Sequence, residues 1–224
     1  TTAIYTLSLH DALPIYNLQE ARKVLVREFG GTLFTIAKDV KFQIEFNPAR
    51  VQAYRLIGYE NRLLNDEDFN DDRKDAGEMG SGHNVTALYE LIPAGSDEQL
   101  PSVDPLKYQV TEKRVSKVNI NSSEYLTIKL RYKNPDSKSS ILFDKPVKGP
   151  VKSIDGASDN LRFAAAVSEF GMILRNSEFI GNATLDGAAS LAGSARGEDE
   201  DGYRAELIRL INTVKDMKAF AEKQ

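Results

Sequence analysis

The stretch Val40-Lys41-Phe42-Gln43-Ile44-Glu45-Phe46 alternates strictly between apolar and polar side chains. Successive residues of a strand point to opposite faces. The alternation therefore predicts a half-buried β-strand with Val40, Phe42, Ile44 and Phe46 inside and Lys41, Gln43 and Glu45 in water. Asn47-Pro48 marks a turn after it. Val51 to Glu60, rich in Tyr, Leu and Ile, resumes as a second strand. The two are expected to pair as a hairpin in an antiparallel sheet with one dry and one wet face.

Outward from that pair, the same logic places a strand at Val85 to Ile92, ended by Pro93, and two more near Tyr125 to Tyr132 and Ser140 to Phe143, joined across Asn134-Pro135-Asp136. In the strand near Tyr125 to Tyr132, Leu126, Ile128 and Leu130 share one face while Thr127, Lys129 and Arg131 share the other. Leu64 to Gly82 interrupts the pattern with an acidic run and then Gly77, Gly80 and Gly82, which reads as a loop with a flexible end. Ser96 to Pro105 is a polar connector. After Pro150 the period changes to that of a helix. Leu161, Ala164, Ala165, Val167, Phe170, Ile173 and Leu174 line one face behind Asp159 as cap. A small-residue helix around Leu185 to Ala195 and an amphipathic helix carrying Tyr203, Leu207, Leu210, Ile211, Val214 and Met217 follow, separated by the acidic loop Gly197 to Gly202. The expected fold is mainly β with α: an antiparallel β-sandwich over residues 31–155, then a C-terminal helical segment over 156–224 that packs on it.

The composition closes off several functions. The formal net charge is −4, and no basic run carries interleaved aromatics, so nucleic-acid binding has no support. Cysteine is absent, which removes disulfides, thiolate metal sites and cysteine nucleophiles from this chain. Two histidines, His10 and His83, leave little for a histidine-based metal site or a hydrolytic triad. No apolar stretch approaches the roughly 20 residues that a helix needs to span a bilayer.

The N-terminus reads differently from the rest. Thr6-Leu7-Ser8-Leu9-His10-Asp11-Ala12-Leu13-Pro14-Ile15 is the translation of one frame of a common short-read sequencing adapter, and Thr1-Thr2-Ala3-Ile4-Tyr5 continues the match with one departure at Ala3. Residues 1–15 are therefore set aside as a non-native, adapter-derived segment. The chain is expected to begin at Tyr16 inside something longer, with no packed core around Thr6 to Ile15. Asn17 to Phe29 then reads as a helix, with Leu18, Ala21, Val24 and Leu25 at three-four spacing, Asn17 as cap and Gly30-Gly31 as stop.

Several groupings invite a chemical reading. Asp66, Asp68, Asn70 and Asp72 present alternating oxygen ligands of the kind that hold calcium. Neither register of the calcium-loop template works, however. From Asp66, Asp71 stands at the turn glycine and Gly77 at the bidentate Glu; from Asp68, Arg73 and Met79 stand there. A solvated acidic loop is the better account. Gly77-Glu78-Met79-Gly80-Ser81-Gly82-His83 lacks the Lys-Ser/Thr of a phosphate loop and precedes a strand, not a helix, so a strand-entry loop is favoured. His83 beside Ser81, Asp75 or Glu78 would need a nucleophile elbow that the sequence lacks, and a turn histidine explains it. Arg50, Arg55, Arg62, Arg131 and Lys133 lie near acidic residues such as Glu60 and Glu90, consistent with cross-strand ion pairs. Tyr54, Tyr59, Tyr89 and Tyr132 are read as packing residues before they are read as stacking rings for a sugar or peptide.

A set of blocks in fixed order carries a family resemblance: Ile36 to Lys41, Glu45 to Pro48, Tyr54 to Arg62, Val85 to Glu90, Leu130 to Lys133, Phe163 to Val167 and Gly171 to Arg175. From about Asn17 to nearly the C-terminus the chain resembles the C-terminal region of the bacterial YfbK-type family, proteins that contain a von Willebrand factor A domain. The resemblance implies an upstream A domain, with residues 16–30 as the remnant of its last helix. The apolar face of that helix is expected to be exposed or to dock in a makeshift way, because the sheet it covers is not in this chain. The family's metal-ion-dependent adhesion motif, Asp-x-Ser-x-Ser, is expected upstream too. The nearest string, Asp136-Ser137-Lys138-Ser139-Ser140, has Lys where the first Ser belongs, so no metal ligand is carried onto this chain.

The expected function is a non-catalytic scaffold or interaction region. It would support metal-dependent protein–protein binding by the A domain, with Mg²⁺ or a similar divalent ion held only there. The expected partners are a protein of unknown identity and the A domain in cis. An autonomous carbohydrate- or peptide-binding β-sandwich is the alternative, and an enzyme using His83 a distant third. No catalytic, cofactor-binding or metal-binding residue is assigned. The resemblance favours a cell-envelope setting.

Overall fold

A computed structural model of the protein describes residues 2–6, 18–27, 34–58, 66–98 and 123–221. The chain divides into two compact units, Thr1–Gly149 and Pro150–Gln224. The fold is β-rich with α: two antiparallel sheets followed by a helical segment.

In the first unit β1 (Thr2–Thr6), β2 (Thr35–Phe46), β4 (Gly77–Gly80), β6 (Glu124–Lys133) and β7 (Ser140–Lys148) form one sheet, in the order β1-β2-β6-β7 with β4 also on β2. The second sheet joins β3 (Val51–Ile57) to β5 (Leu88–Pro93). The long β2 organises the arrangement. One of its edges pairs with β6 from Lys38↔Lys133 to Phe46↔Leu126. Its other edge is shared: β4 lies against Thr35 to Val40, and β1 against Lys41 to Glu45.

The expected hairpin between β2 and β3 does not form. Asn47 remains bound to β6, its N–H donating to the Tyr125 carbonyl (2.9 Å) and its Nδ2 to the Glu124 carbonyl (2.7 Å). The turn then closes on itself through Val51 N–H to Asn47 O (2.8 Å) and sends the chain into the opposite sheet. Ile44, Phe46 and Val51 are buried there, packed against Tyr54, Tyr89, Leu91, Tyr125 and Leu126. Phe46 stacks on Tyr54 with ring centroids 3.9 Å apart, which joins the two layers. The turn is thus a corner of the sandwich, and its two strands meet face to face, not edge to edge.

The strand reading elsewhere needs smaller adjustments. β5 starts at Leu88, later than Val85, and β7 runs on to Lys148. Gly77–Gly80, read as the flexible end of a loop, is a short strand on the edge of β2. The hairpin across Asn134-Pro135-Asp136 forms as expected, with Lys133↔Ser140 as its innermost pair. β1 falls in the segment set aside as adapter-derived. A strand edge is recognised through backbone N–H and C=O groups alone, so half an open edge on β2 accepts an extended segment of almost any sequence. Residue 1 and residues 7–15, the rest of that segment, lie outside the described residues.

The N-terminal helix is α1 (Leu18–Arg22), continued by a π-helical turn over Lys23–Arg27. Its expected cap Asn17 and stop Gly30-Gly31 lie outside the described residues. Leu18 and Leu25 of the expected apolar face are 86% and 59% exposed, while Ala21 and Val24 of that face are half-buried.

In the second unit, α2 (Asp159–Leu174), α3 (Leu185–Ser194) and α4 (Tyr203–Ala221) form a three-helix cluster. The cap of α2 is Ser158, one residue before the expected Asp159; its Oγ accepts from Leu161 N–H (3.3 Å). Serine's short hydroxyl reaches the third N–H, while Asp159 binds Arg162 within the first turn instead. Thr184 caps α3 by accepting from Gly187 N–H (3.0 Å). The core consists of Ala166, Phe170, Ala188, Ala192 and Ile211. The buried face of α2 is therefore rotated from the expected one: Leu161, Val167 and Leu174 are exposed, and Ala166 and Met172 are buried. In α4, Leu207, Ile211 and Val214 face the core while Leu210 and Met217 are exposed.

Candidate functional site

The chemically densest place in the first unit is the outer face of β2, where the acidic segment folds back over it. The alternation sends Lys41 to water, yet Lys41 is 1% exposed. Its ammonium donates to the backbone carbonyls of Asp68 (3.0 Å) and Asp71 (2.7 Å). Phe69 and Asp68 are buried with it. A bulge between Lys38 and Lys41 in the pairing with β6 marks the spot, and within it Asp39 adopts φ +52°, a left-handed conformation that Asp tolerates better than most residues.

Asp39 uses this bend to bind in two directions. One carboxylate oxygen accepts from Ala76 N–H (3.1 Å), and the other from the Lys133 ammonium (2.6 Å). Lys133 also donates to the Asp72 carbonyl (2.6 Å). Arg131 donates to Ser140 Oγ (2.7 Å) and to Asn70 Oδ1 (3.2 Å), and lies 5.4 Å from the centre of the Phe69 ring. Lys74 reaches back to Asp68 at 3.4 Å. The acidic loop is thus clamped to the sheet by cations from β2 and β6.

The electrostatics follow from these partners. Burial pushes the Lys41 ammonium below its ordinary value, only partly offset by the nearby carboxylates of Asp39 and Asp72. Burial would raise Asp39, but the Lys133 hydrogen bond, the Ala76 N–H and the Lys133 charge together hold it below the usual carboxylate range. The Asp39 hydrogen bond raises Lys133. The Arg73 guanidinium and N–H on Asp71 bring that carboxyl down to about 2.

This arrangement engages Asp68, Asn70 and Asp72, whereas the Asp66 side chain lies outside what the structure describes. The loop does wrap a cation, but the cation is the protein's own ammonium, held by main-chain carbonyls instead of carboxylates. Among the described residues no group of three or more His, Asp or Glu side chains is placed to hold a metal. In the string Asp136 to Ser140, Ser137 Oγ donates to Ser139 O within its own turn, and Ser140 Oγ accepts from Arg131.

The other sequence candidates are dispersed or occupied. His83 follows a turn, its N–H donating to Gly80 O (3.1 Å). Ser81 and Asp75 are exposed, and Glu78 accepts from Thr35 Oγ1 (3.2 Å). Among the described residues no hydrogen bond joins His83 to any of them. Arg55 pairs across the strands with Glu90, and Arg50 lies over the Tyr125 ring at 5.8 Å. Tyr54 and Tyr89 face the ring of Phe46. Tyr59, Glu60 and Arg62 lie outside the described residues. In the second unit an open groove of about 440 Å³ lies between α2 and α4, floored by Ile173, Ile180 and Leu185 with Lys215 and Lys218 at its rim. Asp186 already engages Lys215 there.

The residue that sequence reasoning missed is Lys41. A lysine on the wet side of a clean alternation looks ordinary. The only available signal is an acidic run some 25 residues later, with nothing to say that it folds back.

Comparison with known proteins yields two matches. A family model described as "Uncharacterized protein YfbK, C-terminal" matches residues 31–217. Uncharacterized protein YfbK of Escherichia coli (strain K12) is 45% identical over 197 residues, covering 88% of this chain and 33% of that protein. The chain thus spans about a third of that relative's length. No solved structure matches.

Proposed function

The chain belongs to the family of the C-terminal region of YfbK, and from that premise we propose that it is a non-catalytic scaffold and interaction region of a longer protein. In this reading a von Willebrand A domain elsewhere in the polypeptide supplies metal-dependent protein–protein binding. This region supports and positions it, and the divalent ion belongs to the A domain alone. The observation that carries the reading is the acidic loop. Lys41 of β2 binds the Asp68 and Asp71 carbonyls and Lys133 of β6 binds Asp39 and the Asp72 carbonyl, so these groups are engaged in holding the loop on the sheet. Buried polar groups that are fully paired rigidify a structure. His83 adds no partnered acid or nucleophile among the described residues.

The test uses the intact longer protein and a version lacking this region, in pull-downs with Mg²⁺ and with chelator. The expected result is partner capture that requires Mg²⁺ and weakens when the region is removed. Capture that is indifferent to the deletion defeats the scaffold role. Binding of the present chain to a defined glycan or peptide on an array would instead favour an autonomous binding sandwich.

A further inference from the structure

The last helix has two apolar faces, and its own unit covers one of them. Leu207, Ile211 and Val214 of α4 pack against the alanine-lined core. Leu210, Met217 and Phe220 are 52%, 67% and 67% exposed. With Thr213 they recur at steps of three, four and three residues, which sets them in one stripe along the helix. At 3.6 residues per turn that stripe lies roughly a third of a turn away from the buried face. Large apolar side chains grouped outside the core mark an interaction surface.

Three features say that the cover is a second copy of the same helix. A two-fold interface sets one patch against itself, so the patch must be self-complementary. Arg209 and Asp216 are exposed, seven residues apart, and flank the stripe on the same side. Among the described residues neither forms an ion pair. A two-fold axis at Thr213 runs the two helices antiparallel and sets Arg209 of each copy beside Asp216 of the other. Parallel pairing would oppose Arg209 to Arg209. The second feature is Thr213 itself, the smallest residue of the stripe, which lets the two helices come close at the crossing. The third is its hydroxyl: Oγ1 already donates to Arg209 O (2.9 Å) within the helix, so burial strands no donor.

We propose that this face of α4 is a homodimer interface in which two copies pair α4 antiparallel about Thr213. Leu210 of each copy packs beside Met217 of the other, and the Arg209–Asp216 pairs close one rim. One pair of helices buries less than the roughly 1,200 Å² of a standard interface, so the dimer is weak, with a dissociation constant on the order of 100 µM.

Sedimentation velocity on the full chain from about 10 µM to about 1 mM brackets that constant. The expected result is a monomer that becomes a dimer across the range. A monomer throughout overturns the proposal, and so do open-ended larger species. Met217→Lys puts a charge into the stripe and should weaken the dimer at least about tenfold. A dimer indifferent to it uses another surface, which also overturns the proposal. The orientation is read from charge. Arg209→Asp should weaken association about threefold to tenfold, and adding Asp216→Arg to it should restore the dimer. A double variant as weak as the single one overturns the antiparallel pairing. All these side chains are exposed in the single chain, so far-UV melting at about 1 µM should give every variant the wild-type midpoint. If Met217→Lys disturbs the fold, the charge-reversal pair still decides. Neither readout involves Mg²⁺ or partner capture, so the dimer and the scaffold reading stand or fail separately.

Discussion

The two units bury their cores with opposite materials. The sandwich uses rings and long side chains: Phe46 on Tyr54 with Tyr89 beside them, and Leu91, Tyr125 and Leu126 around the same cluster. The helical unit uses alanines, with Ala166, Ala188 and Ala192 all at 0% exposure around Ile211 and Phe170. Geometry accounts for the contrast. Facing sheets stand about 10 Å apart and need long side chains to fill the gap. Helices approach to about 8–10 Å between axes and come closest where the contact residues are small. One unit should therefore be fragile to losing atoms and the other to gaining them.

The largest break of that contrast is Phe46→Ala. Truncating a buried Phe costs about 3–5 kcal/mol through lost transfer energy and the cavity left behind. Urea unfolding followed by tyrosine fluorescence should show a loss of that size, since the chain has no tryptophan and Tyr54 and Tyr89 sit beside the ring. A loss below about 1 kcal/mol, well under the Phe→Ala range, would mean that this cluster is not the core of the sandwich. Next is Lys41→Met, which keeps an apolar stem and removes the ammonium. It leaves the Asp68 and Asp71 carbonyls without their donor, at about 1–3 kcal/mol each where they are buried. Hydrogen exchange over residues 68–76 should accelerate with it. If that loop stays as protected as before, Lys133 alone holds it down. The helical unit is tested in reverse by Ala192→Leu. Forcing a larger side chain into a filled site costs about 1–3 kcal/mol. The far-UV helical signal should melt at lower denaturant while the β-unit tyrosine signal holds. A neutral or stabilising result would show that the alanine-lined core has slack.

What was legible in the sequence divides along the same line. Strand and helix existence depend on local period, and Val40 to Phe46 or Leu185 to Ala195 carry that period in their own residues. Partner choice depends on distant residues. Asn47-Pro48 signals a turn but not that Asn47 will stay bonded to Tyr125 and Glu124, far along the chain, which is what diverts β3 into the other sheet. The buried face of α2 departs from the expected one for a related reason. Leu161, Val167 and Leu174 are more apolar than Ala166, but the close approach of α3 selects for smallness over apolarity. Lys41 shows the limit most clearly. Its neighbours on β2 dictate an outward side chain, and it does point outward, into a loop that the period of β2 cannot reveal. The family resemblance was the most informative reading of all, because long blocks in order constrain the whole chain at once.

The smallest predicted effect concerns charge and isolates the clamp from the packing around it. Asp39 has a carboxyl held below the ordinary Asp value of 3.8, so it stays ionised in the fold at pH values where the unfolded chain has begun to protonate. Its contribution is therefore fully present above about pH 4 and is lost as pH falls through the lowered value. Lys133 is raised above 10.5, so its contribution is full below that pH and is lost as pH rises through the raised value. The pair should give a stability plateau that slopes away at both ends. Asp39→Asn tests this cleanly, because Asn tolerates the left-handed φ of +52° as well as Asp does, and its amide oxygen can still accept from Ala76 N–H. The backbone is preserved and the charge removed. Midpoint denaturant measured across pH should then show a shallower fall on both flanks with little change in fold. If the wild-type profile has no acid slope beyond what the substituted chain retains, Asp71 and Asp72, also held low by their partners, account for the acid flank. The Asp39–Lys133 bridge would then fix the geometry of the bulge without adding to stability.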